Sequence, residues 1–337
     1  WKQALVIDHC LAQAVLSGSI RRSARIACIP WTDSEQNVID FITCKAGGQY
    51  FWSANNSVLV DDDFWRDVHS DKSCKARRIF DAVISASFYD KTGEPGFINV
   101  DKLKQNDTGI ENLTAQNYLN PIIAKEMELH SKTYAMLDDI IRSVKKLKFQ
   151  MIVNPCSEIS LHIAGGYCCI GDINLANLPK DQNKALQAVC TQIQFLLNVN
   201  KMRFLYDFEV NRTNRIGVGL IGVHEFAWNQ FGYTFQDLLD ENKSRDFWNF
   251  IDWMRVVGEA YIEGLKDEFP DFNIPHTAFT IKPAGTTAKI MKVTEGWHLP
   301  AYEAMIRYVQ YRKDDPRVPE LIAQGYPFKD VSASIRD

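Results

Sequence analysis

Short apolar runs alternate with longer helical stretches along most of this chain, and that alternation limits the folds open to it. Residues 25–29, the run ending at Val60, and residues 97–100, 215–222 and 278–282 read as strands, and 168–175 as an apolar segment: each is short, largely apolar and close to Gly, Pro or Asn. Residues 3–16, 34–45, 62–70, 76–88, 121–147, 184–205 and 223–265 read as helices, on apolar spacing or on helix-favouring composition. Residues 101–120 are polar, show no period and read as a long surface loop. Strands that alternate with helices imply an α/β class with a largely parallel sheet. No repeat or low-complexity linker divides the chain, so residues 1–337 are expected to form one domain.

With 46% hydrophobic and 24% charged residues, the composition is that of a globular protein. A net charge of -4 gives no basic surface for nucleic acid or anionic lipid. No apolar run approaches the roughly 20 residues that span a bilayer, and Trp1-Lys2-Gln3-Ala4 does not open a signal peptide. The eight cysteines are dispersed without a Cys-x-x-Cys pair, which suits free thiols in a reducing cytoplasm rather than a zinc ribbon. His162, His224, His276 and His298 lack metal-ligand spacing, so no metal is expected. A chain that begins at Trp is expected to be processed or cut from something longer.

Chemistry concentrates at Asn154-Pro155-Cys156-Ser157-Glu158. On an extended segment, side chains two apart share a face. Asn154, Cys156 and Glu158 are therefore expected to present an amide, a thiol and a base side by side. The packing alternative is a buried cysteine acting as a small hydrophobe. Cys168 and Cys169 follow after a Gly165-Gly166 turn that can bring a second thiol back towards Cys156; core packing is the expected role of Cys169. Pro283-Ala284-Gly285-Thr286-Thr287-Ala288 lies between a strand and a helix, where backbone N–H groups and hydroxyls can hold an anion. An ordinary capped helix start would look the same. Arg21-Arg22 reads as a solvated basic turn. Gly217, Gly219 and Gly222 suggest close backbone approach; without a matching downstream acid they do not make a dinucleotide loop.

Several segments occur in one order: Ser17-Gly18-Ser19-Ile20-Arg21-Arg22-Ser23-Ala24, Trp52-Ser53-Ala54-Asn55-Asn56-Ser57-Val58, Gly93-Glu94-Pro95-Gly96 and Asn154-Pro155-Cys156-Ser157-Glu158-Ile159-Ser160-Leu161. Asn214-Arg215-Ile216-Gly217, Lys282-Pro283-Ala284-Gly285-Thr286 and Glu295-Gly296-Trp297-His298 follow. Over roughly residues 10–316 this set resembles the ribonucleotide reductases, and most of all the monomeric, adenosylcobalamin-dependent (class II) ribonucleoside-triphosphate reductases. The resemblance implies a ten-stranded α/β barrel of the ribonucleotide reductase and glycyl-radical type, with a finger loop at its centre.

It also implies a thiyl radical on Cys156 that takes the 3′ hydrogen of the ribose, with Glu158 as base on the 3′-hydroxyl and Asn154 as its hydrogen-bond partner. Cys168, or its neighbour Cys169, would be one of the redox cysteines, and the loop from Pro283 to Ala288 would hold the substrate phosphates. Adenosylcobalamin, a ribonucleoside triphosphate and a thioredoxin-like or other dithiol reductant are the implied cofactor and partners. The family's upstream redox cysteine and its C-terminal cysteine pair have no counterpart here. The expectation is thus a central catalytic part that works with a companion chain. Two alternatives stand beside it: a segment of a class I large subunit, and a non-catalytic barrel remnant or binding module.

Overall fold

The computed structural model describes residues 1–17, 24–46, 54–90, 94–104, 110–118, 125, 130–163, 165–202, 207–269, 273–275, 277–282, 284–297, 311–312 and 314–329. Arg21-Arg22, Trp52-Ser53, Gly93, His276, Pro283 and His298 lie outside these residues.

After α1 (Lys2–Ser17), strands β1 (Ile26–Pro30), β2 (Asn55–Val60) and β3 (Gly96–Asn99) form a parallel sheet in chain order. Ile26 faces Asn55, and Val58 faces Phe97. Parallel neighbours need crossovers. α2 (Glu35–Thr43) makes the first; α3 (Asp62–Ser70) and α4 (Lys75–Asp90) make the second. Ser34 caps α2 by accepting from Asn37 N at 3.2 Å, and Asp61 caps α3 by accepting from Phe64 N at 2.9 Å. Asp61 also accepts from the Trp31 indole at 2.9 Å and from Lys148 Nζ at 2.8 Å, tying three segments together. Val58, Val60, Phe64 and Ile79 are fully buried between sheet and helices, where Phe80 stacks on Phe97 at 5.6 Å.

The stretch 101–120 departs from the expected loop. It contains the short helices α5 (Val100–Leu103) and α6 (Ala115–Tyr118), and Ile110, Leu113 and Ala115 are buried. Ile110 and Leu113 cluster with Ile141 and Val144 of α7 (Ser131–Lys145), so tertiary contacts order a segment without a period of its own. The helix expected over 121–147 is not continuous: His130 is extended, at φ -76° and ψ 157°, and α7 starts after it.

An antiparallel hairpin follows, β4 (Met151–Val153) against β5 (Ser160–His162). Then β6 (Cys169–Asn174) and β7 (Ile216–Ile221) pair in parallel, connected through α8 (Gln182–Lys201) and α9 (Asp207–Thr213). α8 covers one face of β6 with Val189, Ile193 and Leu196, all fully buried. Residues 223–265 are not one helix but three: α10 (Val223–Phe231), α11 (Phe235–Leu238) and α12, which runs on to Arg245–Glu268. Gly232, at φ +72°, ends α10 in the left-handed conformation that glycine adopts without cost. A Thr234–Asp237 capping box then restarts the chain as α11. Trp248 of α12 stacks on Trp297 with ring centroids 5.5 Å apart.

The expected strand over 278–282 is reduced to a single parallel bridge, Val218 to Phe279. It still runs along β7: Val218 N donates to Ala278 O at 2.7 Å, and Thr280 N donates to Val218 O at 3.1 Å. α13 (Gly285–Met291) and α14 (Arg317–Ala323) complete the described chain. The class is α/β, as expected, and among the described residues no sheet closes on itself. No described helix is long and apolar enough to cross a membrane.

Phe247 lies fully buried among Phe226, Phe231 and Trp248. Phe247→Ala is expected to destabilise the fold by about 3–5 kcal/mol, read as a lower urea midpoint with an unchanged slope.

Candidate active site

Cys156 occupies the turn that joins β4 to β5. Asn154 N donates to Ile159 O at 3.0 Å, and Ser157 N donates to Asn154 O at 2.8 Å. The Asn154 carboxamide oxygen accepts from two further backbone groups, Glu158 N at 3.1 Å and Ile159 N at 3.0 Å. Ser157 takes a left-handed conformation, φ 64°, unusual for a residue with a side chain. These bonds fold residues 154–159 into a tight loop with an exposed Cys156 at its end. The expected extended segment is therefore corrected. Strand alternation stops at Val153, and the turn, not a shared strand face, sets the relation of Asn154, Cys156 and Glu158.

The turn also divides the chemistry. With the Asn154 oxygen committed to the backbone, Nδ2 is the end left to donate to a bound molecule. Glu158 Oε2 is buried with no hydrogen-bond partner among the described residues. A carboxylate oxygen enclosed without a donor is costly unless something supplies one. A hydroxyl group of a ligand would do so.

Two other parts of the fold grip this loop. Asn55 of β2 donates from Nδ2 to Pro155 O at 2.5 Å, and Thr280 donates from Oγ1 to Glu158 O at 2.5 Å. The floor beneath is β7. A Cβ on Gly217 would sit 2.7 Å from Ile170, 2.9 Å from Thr280 and 3.1 Å from Ile159, and one on Gly219 would sit 2.7 Å from Lys282. The two glycines let the hairpin and the 280–282 segment cross β7 at van der Waals distance, the close approach expected from the sequence.

Strand period separates Cys168 from Cys169. Cys169 and Ile173 pack against the apolar cluster under α8, as core packing for Cys169 requires. Asp172 lies on the opposite face: its carboxylate reaches Lys282 Nζ at 2.9 Å, over Gly219. Cys168 precedes the strand and lies within electrostatic reach of Glu158 and of the buried Arg215. Burial pushes its thiol up to about 12, with Cys169 and Glu158 acting in the same direction and the Arg215 guanidinium opposing. At neutral pH Cys168 is therefore a thiol, with its hydrogen in place. None of the eight cysteines is in a disulfide.

Of the expected phosphate loop, Ala284 is buried and Gly285, Thr286 and Thr287 form the first turn of α13. Their N–H groups precede the helical ladder. Ala288 does not belong with them, because its methyl is fully buried and its N–H is bonded to Ala284 O at 2.9 Å. The nearest anion is Glu295, whose carboxylate lies 3.7 Å from the Cβ position of Gly285 and 3.7 Å from Lys289 Nζ. Among the described residues no group of three or more His, Cys, Asp or Glu is placed to hold a metal ion. Sequence reasoning assigned no role to Asn55, Thr280, Asp172 or Lys282. The alternation of β6 offered a signal for Asp172 alone.

Exposure and pKa together set an order of reactivity. At pH 8, iodoacetamide should modify Cys156 at least about tenfold faster than Cys168. The Cys168 rate should rise about tenfold per pH unit while the fold persists, since its thiolate fraction does so below the pKa. Mass spectrometry of the two alkylated peptides checks both.

The ribonucleotide reductase barrel domain matches residues 5–273. A protein of Mycobacterium phage D29 is 27% identical over 91% of this chain. Adenosylcobalamin-dependent ribonucleoside-triphosphate reductases of Lactobacillus gasseri and Lacticaseibacillus paracasei are 24% and 26% identical, each over 95% of it. The chain spans 39% of the length of each of these relatives. Its match over most of its residues, with the thiol turn inside the matched span, places this chain in the ribonucleotide reductase barrel-domain family.

Proposed function

We propose that this chain carries the catalytic centre of an adenosylcobalamin-dependent ribonucleoside-triphosphate reductase and forms part of a ten-stranded barrel around the Cys156 turn. The observation that carries the reading is the turn itself. It presents an exposed thiol between an amide with a spare donor and a carboxylate oxygen with no partner among the described residues. The class II assignment and the triphosphate substrate draw on the relatives' names.

An exposed thiol at a turn fits a radical source too bulky to enter a closed core. Adenosylcobalamin, when bound, supplies the radical that takes the hydrogen from the Cys156 sulfur. The Cys156 thiyl then removes the 3′ hydrogen of the ribose. Glu158 takes the proton of the 3′-hydroxyl through its unpartnered oxygen, and Asn154 Nδ2 holds the ribose hydroxyls in place. The 2′-hydroxyl takes a proton from the redox cysteine pair and leaves as water, and once the sugar is reduced Cys156 returns its hydrogen to C3′ and is again a thiyl. Two electrons come from a cysteine pair that closes to a disulfide, with Cys168 as one member and its partner supplied from outside these 337 residues by a companion segment or chain. A thioredoxin-like dithiol reopens that disulfide. Gly285, Thr286 and Thr287 receive the phosphates on their backbone N–H groups and hydroxyls. Pro283, outside the described residues, belongs to the same loop.

The test supplies the chain and its companion with adenosylcobalamin, a ribonucleoside triphosphate and a dithiol, and measures deoxynucleotide. Cys156→Ser should abolish product, and Glu158→Gln should lower kcat by about 10²–10⁴-fold, the range for loss of a general base. Undiminished turnover in Cys156→Ser refutes the reading.

A further inference from the structure

Two motifs from the sequence, Ala54-Asn55-Asn56 and Glu94-Pro95-Gly96, have no part in the reaction as described. The structure joins them beside the thiol turn. Lys45 Nζ donates to Ala54 O at 2.6 Å and pairs with Glu94. Glu94 Oε2 accepts from Asn56 N at 3.2 Å. The Lys45–Glu94 pair, buried at its lysine, thus holds the residue before Asn55 by its carbonyl and the residue after it by its amide. Asn55 N donates to Arg25 O at 2.9 Å. Asn55 is a fixed post, and its side-chain amide reaches across to Pro155 O.

Thr280 is held in the same manner from the other sheet. Its N–H donates to Val218 O at 3.1 Å, and Gly217 leaves room for its methyl. Its hydroxyl reaches Glu158 O. The two bonds therefore fall on either side of the thiol, on peptides 155–156 and 158–159.

We propose that Asn55 and Thr280 are positioning residues for the Cys156 thiol, Asn55 locking the peptide that leads into Cys156 and Thr280 the peptide that follows Glu158. The inference rests on the reductase reading. Hydrogen abstraction depends on where the sulfur stands, and a misplacement of about 1 Å costs about 10²-fold in rate. A loop clamped from both parallel sheets keeps the sulfur and the Glu158 carboxylate in one frame. Neither side chain need touch substrate.

Thr280→Val keeps the shape and loses the donor, Thr280→Ser keeps the donor, and Asn55→Asp replaces the donating amide with an acceptor. Hydrogen exchange of the chain reads the clamp directly. Amides of 154–159 should exchange at least about tenfold faster in Thr280→Val and in Asn55→Asp, with α8 and α12 unchanged, and Thr280→Ser should stay near the parent. In the reductase assay, kcat should fall at least about tenfold in the same two variants with KM within about threefold, and Thr280→Ser should restore it. Loop exchange unchanged in either variant, exchange raised equally in α8, or an undiminished kcat overturns the proposal. The exchange measurement needs no turnover. Failure of the clamp therefore shows there, and failure of the reductase reading shows separately as a Cys156→Ser variant that still makes product.

Discussion

The Asn154 carboxamide oxygen is the small centre around which the site is arranged. By accepting from Glu158 N and Ile159 N it closes the turn between β4 and β5. Those two N–H groups would otherwise sit unpaired where the hairpin leaves the sheet. The turn leaves Cys156 exposed. The same bonds orient the amide, so the group that shapes the loop also determines which of its atoms can meet a ligand.

Around that turn, two parallel sheets act as walls of unequal character. β2 is embedded in an apolar core and offers one polar contact to the turn, through Asn55. β7 is stripped of side chains at Gly217 and Gly219, and its neighbours fill the space. The buried Asp172–Lys282 pair lies over the second glycine. Removing one partner of such a pair leaves a charge in an apolar setting, which is more damaging than never having had either. The pair reads as a fastener between β6 and the segment entering α13, in place of the full strand that the sequence pattern suggests over 278–282.

Much of the scaffold was legible because parallel strands are buried on both faces and announce themselves as apolar runs, as β7 does throughout and β2 over Val58–Val60. The helix over 62–70 was legible from its own composition, and the Asp61 cap that starts it is a local contact. Residues 101–120 were misread because Ile110 and Leu113 find their partners on α7, far along the chain. The residues of the thiol turn were identified from type and spacing, but their geometry was not. The period of two ends at Val153 with the strand, and the turn depends on side-chain-to-backbone bonds that no periodicity reports. Asn55 and Thr280 were invisible for the same reason: each acts through one hydrogen bond to a distant carbonyl.

The glycines of β7 carry a consequence for how such a chain can change over generations. Ile159, Thr280 and Ile170 converge on the empty position at Gly217, so a methyl there is tolerated only if a neighbour shrinks at the same time. Substitutions at 217 are coupled to those at 170 and 280, whose methyls would lie within 3.0 Å of the added carbon. Drift in this part of the fold must then proceed by matched changes between β7 and the side chains that cover it. Single steps are blocked there, while the exposed faces of α8 and α12 remain open to independent change.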